Sequence, residues 1–380
     1  MKHRNDLQGL RAVAVLLVAL GHAGIRFLKG GFIGVDVFFV LSGFLITGLL
    51  LSEAFERRSI SLLNFYVRRA LRILPAAVLA LIVTDVVAYL LLNLARAKQV
   101  MWDSIWSSFF AANIHFAREA SEPPSPLLHF WTLGVEEQFY LVWPLLLALA
   151  VFGVASIRRL QHRPRAEPIV DARATFRLLA VITVAGLASL AWSVHYTSTS
   201  PAAAYYSSLA RAWELALGAA LAIAASSLTD LSSRVRTILG WSGISAIACS
   251  AVLYSGSTPL PGYAALLPTV GTALVIAAGI ADLQPRFGVG RVLEQAPLRY
   301  VGDRSYSFYL WHWPALLIAT GYAGHGLSVK TNLMLLFVAF GVSVVTYRFF
   351  ENPIRHMRSG RSGAARRASC RNSSRRKPHY

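Results

Sequence analysis

Ten apolar blocks, each about twenty residues long, constrain this chain more than any other feature. They run over 8–26, 32–52, 73–93, 131–155, 177–195, 209–228, 238–256, 263–282, 305–323 and 332–350. Roughly twenty apolar residues in an α-helix cover the hydrocarbon core of a bilayer. The blocks therefore predict an all-α, polytopic membrane bundle of about ten transmembrane helices. Composition agrees: 55% of residues are hydrophobic and 14% charged, where a soluble domain carries about 25% charged residues. The first block is read as a span and not as a cleaved signal, because Arg11 interrupts its start and a second span follows at once.

A net charge of +19 raises the question of nucleic acid, and the distribution of that charge answers it. With the N-terminus inside, the inward segments are 1–7, 53–72, 156–177, 229–237, 283–304 and 351–380. They hold most of the 37 Lys and Arg. This asymmetry is the positive-inside rule. It places both termini in the cytoplasm and leaves no expected nucleic-acid partner. Residues 1–355 form the expected membrane domain. Residues 356–380, Arg/Ser-rich and without apolar periodicity, read as a disordered cytoplasmic tail with a possible contact to membrane lipids. Cys249 lies in a span and Cys370 in the tail, so neither a disulfide framework nor a thiolate metal site is suggested. G-x-S-x-G, the P-loop and H-E-x-x-H are absent, which argues against a serine-hydrolase elbow, a nucleotide P-loop and zinc hydrolysis. No metal is expected.

Polar residues inside spans are costly and usually face a protein interior or a water-filled cavity, so their positions carry the functional signal. "LRAVAVLLVALGH" places Arg11 and His22 eleven residues apart. At about 100° and 1.5 Å per residue they share a helix face, roughly 16 Å apart. His22 falls in the outer third of its span. Asp36, near the outer end of the second span, and Glu136 and Glu137 in "WTLGVEEQFYLVWP" fall at a similar depth. A carboxylate beside a histidine orients the imidazole, so Glu136, with Asp36, is expected to orient His22 as a general base or transient acyl carrier. At the other surface, Arg69 and Arg72 stand three apart on one helix face, level with Arg11. Three guanidiniums there suit a phosphate-rich ligand, although positive-inside flanking explains Arg57, Arg58 and Arg68 equally well. Arg211 and Glu214, at i, i+3, read as an intramembrane ion pair. His312, between Trp311 and Trp313 in "YSFYLWHWP", is a weak candidate for a substrate wall or else a core histidine.

With these residues in view, the chain resembles the membrane-bound acyltransferase-3 family, which O-acylates bacterial surface polysaccharides. The blocks "LRAVAVLLVALGH", "GFIGVDVFFVLSGFLI", "RRALRILP", "WTLGVEEQFYLVWP", "RAWELALG" and "YSFYLWHWP" occur in the family's order, ahead of "ENPIR". The resemblance implies a bacterial inner-membrane O-acyltransferase with His22 as catalytic residue. It also implies that Arg11, Arg69 and Arg72 handle acyl-CoA, with acetyl-CoA as co-substrate and no permanently bound cofactor. The acceptor would be a hydroxyl of a cell-surface carbohydrate or glycolipid, lipopolysaccharide included. Many relatives continue into an SGNH esterase-like domain, and this sequence does not. A separate SGNH-type partner protein is therefore a further expectation. The rival reading of the same residues is a proton-coupled transporter or flippase in which His22, Asp36 and Glu136 relay protons.

Overall fold

The computed structural model describes residues 4–57, 59–119, 124–152, 172–281 and 284–354. The tail at 356–380, Cys370 and Arg58 lie outside the described residues. Among those described there are fifteen α-helices and no strand. In chain order they are α1 (Asn5–His22), α2 (Gly34–Arg57), α3 (Leu62–Leu91), α4 (Leu94–Ser108), α5 (Ala112–Arg118) and α6 (Phe130–Phe152). There follow α7 (Ala172–Thr199), α8 (Pro201–Tyr206), α9 (Ser208–Ile223), α10 (Ser233–Leu253) and α11 (Leu266–Ala278). The last are α12 (Val289–Leu293), α13 (Ala296–Asp303), α14 (Ser305–Ala323) and α15 (Val329–Thr346), with a π-helical turn over Tyr347–Glu351.

Each of the ten predicted spans is a helix: α1, α2, α3, α6, α7, α9, α10, α11, α14 and α15. Six are long and apolar enough to cross a membrane by composition alone, over Gly31–Glu56, Leu62–Leu91, Phe130–Ala150, Thr175–Thr199, Ser233–Leu253 and Val329–Ile354. The remaining four, α1, α9, α11 and α14, are shorter or more polar, and each has half or more of its residues buried. Helices shielded from lipid can carry the arginines, histidines and glutamate that a lipid-facing helix cannot.

α1 occupies the centre, between two apolar cores. Val15, Val18 and Ala19 pack into a cluster with Ala76 and Ala80 of α3, Leu133 of α6, Leu310 of α14 and Leu336 of α15. Leu7, Leu10 and Ala14 pack with Val37 and Leu41 of α2, Ile247 of α10 and Val275 of α11. Packed against two clusters on adjoining faces, α1 is fixed in rotation, and so are the directions of Arg11 and His22.

Two features depart from the sequence expectation. α3 begins at Leu62, well before the span predicted from residue 73, so Arg68, Arg69 and Arg72 belong to the helix itself. Residues 94–118 also form a helical hairpin, α4–α5, where no element was expected. Its tip, Phe109–Ala111, packs beside α6, where Gln138 Nε2 donates to the Phe110 carbonyl at 3.1 Å. α4 escapes an apolar-block reading because it carries Arg96, Lys98 and Asp103. Two of these charges are met locally: Asp103 pairs with His115 at 2.8 Å, and Arg96 reaches Gln99 and the Pro124 carbonyl, both at 2.6 Å, while Lys98 is exposed.

α2 and α9 cross at close range. A Cβ on Gly218 would overlap the Val40 carbonyl oxygen, and one on Gly43 would overlap that of Leu215. Small residues at such crossings let membrane helices approach closely. Gly218→Ala is therefore expected to destabilise the bundle by about 1–3 kcal/mol, the usual penalty of overpacking. A lower temperature of aggregation in detergent measures it, with an alanine at the uncrowded Gly341 as the neutral comparison.

Candidate active site

The polar residues gather at two ends of the bundle, and three chain segments contribute to both. α1 supplies Arg11 and His22. The start of α6 supplies His129 and, seven residues further and so about 10 Å along the axis, Glu136. α14 supplies Tyr306 and His312.

At the histidine end, His22 Nδ1 lies 3.1 Å from His312 Nε2, with the two rings parallel to within 2°. The Trp313 ring packs on His22, its centroid 4.4 Å away, and its indole N–H donates to the Ser125 carbonyl at 2.9 Å. His312 is fully buried, whereas His22 keeps part of its surface. Among the described residues, His22 Nε2 has no hydrogen-bond partner, and it is not enclosed by them. Pro144 and Pro75 interrupt other helices, but Pro314 in α14 has a local consequence here. Proline has no N–H to bond the carbonyl four residues earlier, which for Pro314 is that of Leu310. His129 Nε2 takes up that carbonyl at 3.2 Å. The His129 carbonyl in turn accepts from Thr132 Oγ1 and Tyr309 OH, each at 3.1 Å. These bonds fix α14, and with it His312, against the start of α6.

At the other end, Glu136 lies in the field of Arg69, Arg11 and Arg72, and its Oε1 accepts from Ser42 Oγ at 2.6 Å. Arg69 stacks over the Tyr140 ring at 4.0 Å. Tyr306 OH donates to the Ile73 carbonyl at 2.9 Å beside the same arginine. Arg69 and Glu137 line a cavity of about 320 Å³ with Tyr66, Gln138, Tyr140 and Phe110. Arg69 Nε and Glu137 Oε1 are both buried there without a hydrogen-bond partner. All three arginines act on Glu136, and Arg69 and Arg72 act also on Glu137.

The expected orientation of His22 by carboxylates does not match this geometry. The partner of His22 is His312, and among the described residues no carboxylate bonds it. Glu136 belongs to the arginine end, because two further helical turns carry it away from the end where His129 meets α14. Asp36 is held elsewhere: Arg211 Nη1 donates to Asp36 Oδ1 at 2.8 Å and to Glu214 Oε1 at 3.0 Å. All three residues are at most 1% exposed, and the arginine also faces the rings of Tyr205 and Trp131. The Arg211–Glu214 pair expected from spacing is present, with Asp36 as its third member. Trp311 is directed to α15, donating to Thr346 Oγ1 at 2.9 Å, and so is not brought to the histidines. Glu351, in the π-helical turn, is buried and accepts from Ser307 at 2.6 Å.

Sequence reasoning missed His129, Tyr309 and Ser42. His129 immediately precedes "FWTLGVEEQ" and was the available signal. Tyr309 and Ser42 look like ordinary span residues, and only the fold shows what they meet. Among the described residues, no group of three or more His, Cys, Asp or Glu could hold a metal ion.

Comparison with known proteins places this geometry in a family. A family model described as an acyltransferase domain matches residues 4–348. The chain is 30% identical over 370 residues to the peptidoglycan O-acetyltransferase OatA of Listeria monocytogenes, covering 93% of this chain and 56% of that protein. It is 34% identical over 366 residues to the putative peptidoglycan O-acetyltransferase YrhL of Bacillus subtilis, covering 92% and 54%. It is 31% identical over 369 residues to the O-acetyltransferase OatA of Staphylococcus aureus, covering 92% and 57%. The chain therefore spans a little over half the length of these relatives. No solved structure matches it. With the match running from the start of α1 to the last turn of the bundle, the chain belongs to the membrane-bound acyltransferase-3 family.

Proposed function

We propose that this chain is an integral-membrane O-acyltransferase that takes an acyl group, most simply acetyl, from acyl-CoA and passes it to a carbohydrate hydroxyl. The observation that carries this reading is the layout of α1: a cluster of three arginines at one end and, about 16 Å along the same helix, an imidazole whose Nε2 is open. The phosphates of CoA suit Arg11, Arg69 and Arg72, since arginine pairs with phosphate through a planar fork. The pantetheine arm, extended over on the order of 15–20 Å by covalent geometry, is long enough to bring the thioester to His22. There His22 Nε2 takes the acceptor's hydroxyl proton as the oxygen attacks the thioester carbon. The C–S bond then breaks, and the proton passes from His22 to the departing thiolate. The names of the relatives make a peptidoglycan sugar the first acceptor to try. The reading places the arginine end in the cytoplasm of a bacterial inner membrane, with the histidine end facing out.

Two measurements test it. Purified protein in liposomes is expected to release CoA thiol from acetyl-CoA slowly in the absence of acceptor. A proton-coupled transporter or flippase would release none. Arg72→Ala is expected to raise KM for acetyl-CoA roughly tenfold to a hundredfold, because a hydrogen bond to a charged group contributes about 1.5–3 kcal/mol. Arg72→Lys should recover little, since it keeps the charge and loses the fork. Arg234, exposed at the start of α10, serves as the bulk-charge comparison. Equal effects of alanine at 72 and at 234 would mean that net charge, and not a phosphate site, governs donor use.

A further inference from the structure

We infer that His312 is a positioning residue that holds His22 in the one neutral tautomer able to act as a base. The directions of two hydrogen bonds lead to this. His312 Nδ1 lies 2.6 Å from the Tyr309 carbonyl oxygen. A carbonyl oxygen can only accept, so Nδ1 carries the proton. In a neutral imidazole the other nitrogen is then a bare acceptor, and His312 Nε2 presents its lone pair to His22. His22 Nδ1, 3.1 Å away, is therefore the donor in that bond. The His22 proton sits on Nδ1, and its Nε2 is left bare.

The opposite assignment fails on contact. With the proton on His312 Nε2, its bare Nδ1 would face a carbonyl oxygen at 2.6 Å, acceptor against acceptor. A doubly protonated His312 would be a charge with no carboxylate among the described residues in hydrogen-bond reach. Its ring neighbours are Phe308, Tyr309, His129 and His22, and an unpaired buried charge is expensive. The chain Tyr309 carbonyl, His312, His22 thus ends on an open nitrogen. In most histidine bases an acidic side chain sets the tautomer. Here a main-chain carbonyl does so through a second imidazole, which keeps fixed negative charge out of the histidine end.

The functional part of this inference rests on His22 being the base proposed above, and the tautomer part does not. The test keeps them apart. Membrane-embedded protein labelled with [15N]histidine is examined by solid-state NMR, with the His22 signals assigned by their loss in His22→Ala. We expect His22 to show a protonated Nδ1 and a bare Nε2. Turnover is then compared in His312→Phe, which fills the space without an acceptor, and His312→Gln, whose carbonyl oxygen can take the place of Nε2. The phenylalanine variant is expected to lose kcat by roughly 10- to 100-fold, the usual effect of removing the group that orients a working histidine, with KM for the donor unchanged. The glutamine variant should recover most of the loss. A protonated Nε2 on His22 in the unmodified protein overturns the inference whatever the variants do. So do phenylalanine and glutamine variants that are equally active or equally inactive. Retained transfer by His22→Ala would instead remove the base reading and leave the tautomer assignment standing.

Discussion

His22→Ala is expected to reduce acyl transfer by about 10²- to 10⁴-fold, the range that a positioned acid–base group contributes. The protein should still reach the membrane in normal amount. His22 lies at the last turn of α1 and is partly exposed. What fixes α1 is the burial of Leu10, Ala14, Val15 and Val18 on either side of it, and the substitution touches none of them. Its structural effect is confined to His312 Nε2, left without a donor at a cost of about 1–3 kcal/mol, and to the loss of a surface for the Trp313 ring. Turnover normalised to detergent-extracted, monodisperse protein separates the two effects. If extractable protein is lost in proportion to activity, His22 is a packing residue. If well-extracted protein transfers acetyl at the usual rate, it has no part in the chemistry.

The elements legible in the sequence were those dictated by solvent. A lipid environment demands helices and sorts apolar from charged residues along the chain, so each of the ten apolar blocks falls on a helix, six of them long and apolar enough to cross a membrane. That Arg11, Arg69 and Arg72 all act on Glu136 has a related origin, and their role toward a phosphate remains the proposal made above. Arg11, Arg69 and Arg72 lie at the same ends of their spans, and depth converts directly from sequence position. Depth alone misled for Glu136 and Asp36. Residues at a similar level in different helices need not share a neighbourhood, and which helices adjoin is decided by contacts such as the Gly43–Gly218 crossing. The α4–α5 hairpin was hidden because Arg96, Lys98 and Asp103 break its apolar run, and the partners that Arg96 and Asp103 find are set by the fold. His312 was noticed for its aromatic flanks, whereas what links it to His22 is the parallel seating of α14 beside α1. That is a tertiary fact with no signature in either segment.

Arg211→Met is expected to remove most extractable protein, and the reason separates this site from the catalytic end. Arg211 holds Asp36 of α2 and Glu214 of α9 across a close, glycine-lined helix crossing. Breaking a buried ion cluster by removing one partner typically costs 3–5 kcal/mol, because the remaining charges stay buried without compensation. Here two carboxylates would be left in an interior where Glu214 Oε2 already has no hydrogen-bond partner. Replacing the whole cluster, by contrast, leaves no uncompensated charge and is often neutral. The triple variant Arg211→Met, Asp36→Asn, Glu214→Gln is therefore expected to recover extractable protein and to transfer acetyl at close to the original rate. That recovery would confine Asp36 to holding α2 against α9, in agreement with its distance from any bond to His22. If the triple variant extracts normally and remains inactive, the cluster contributes to the reaction beyond its packing, and the sequence expectation for Asp36 returns in a different form. Extraction yield and turnover must be read on the same samples, because only their separation decides between a brace and a participant.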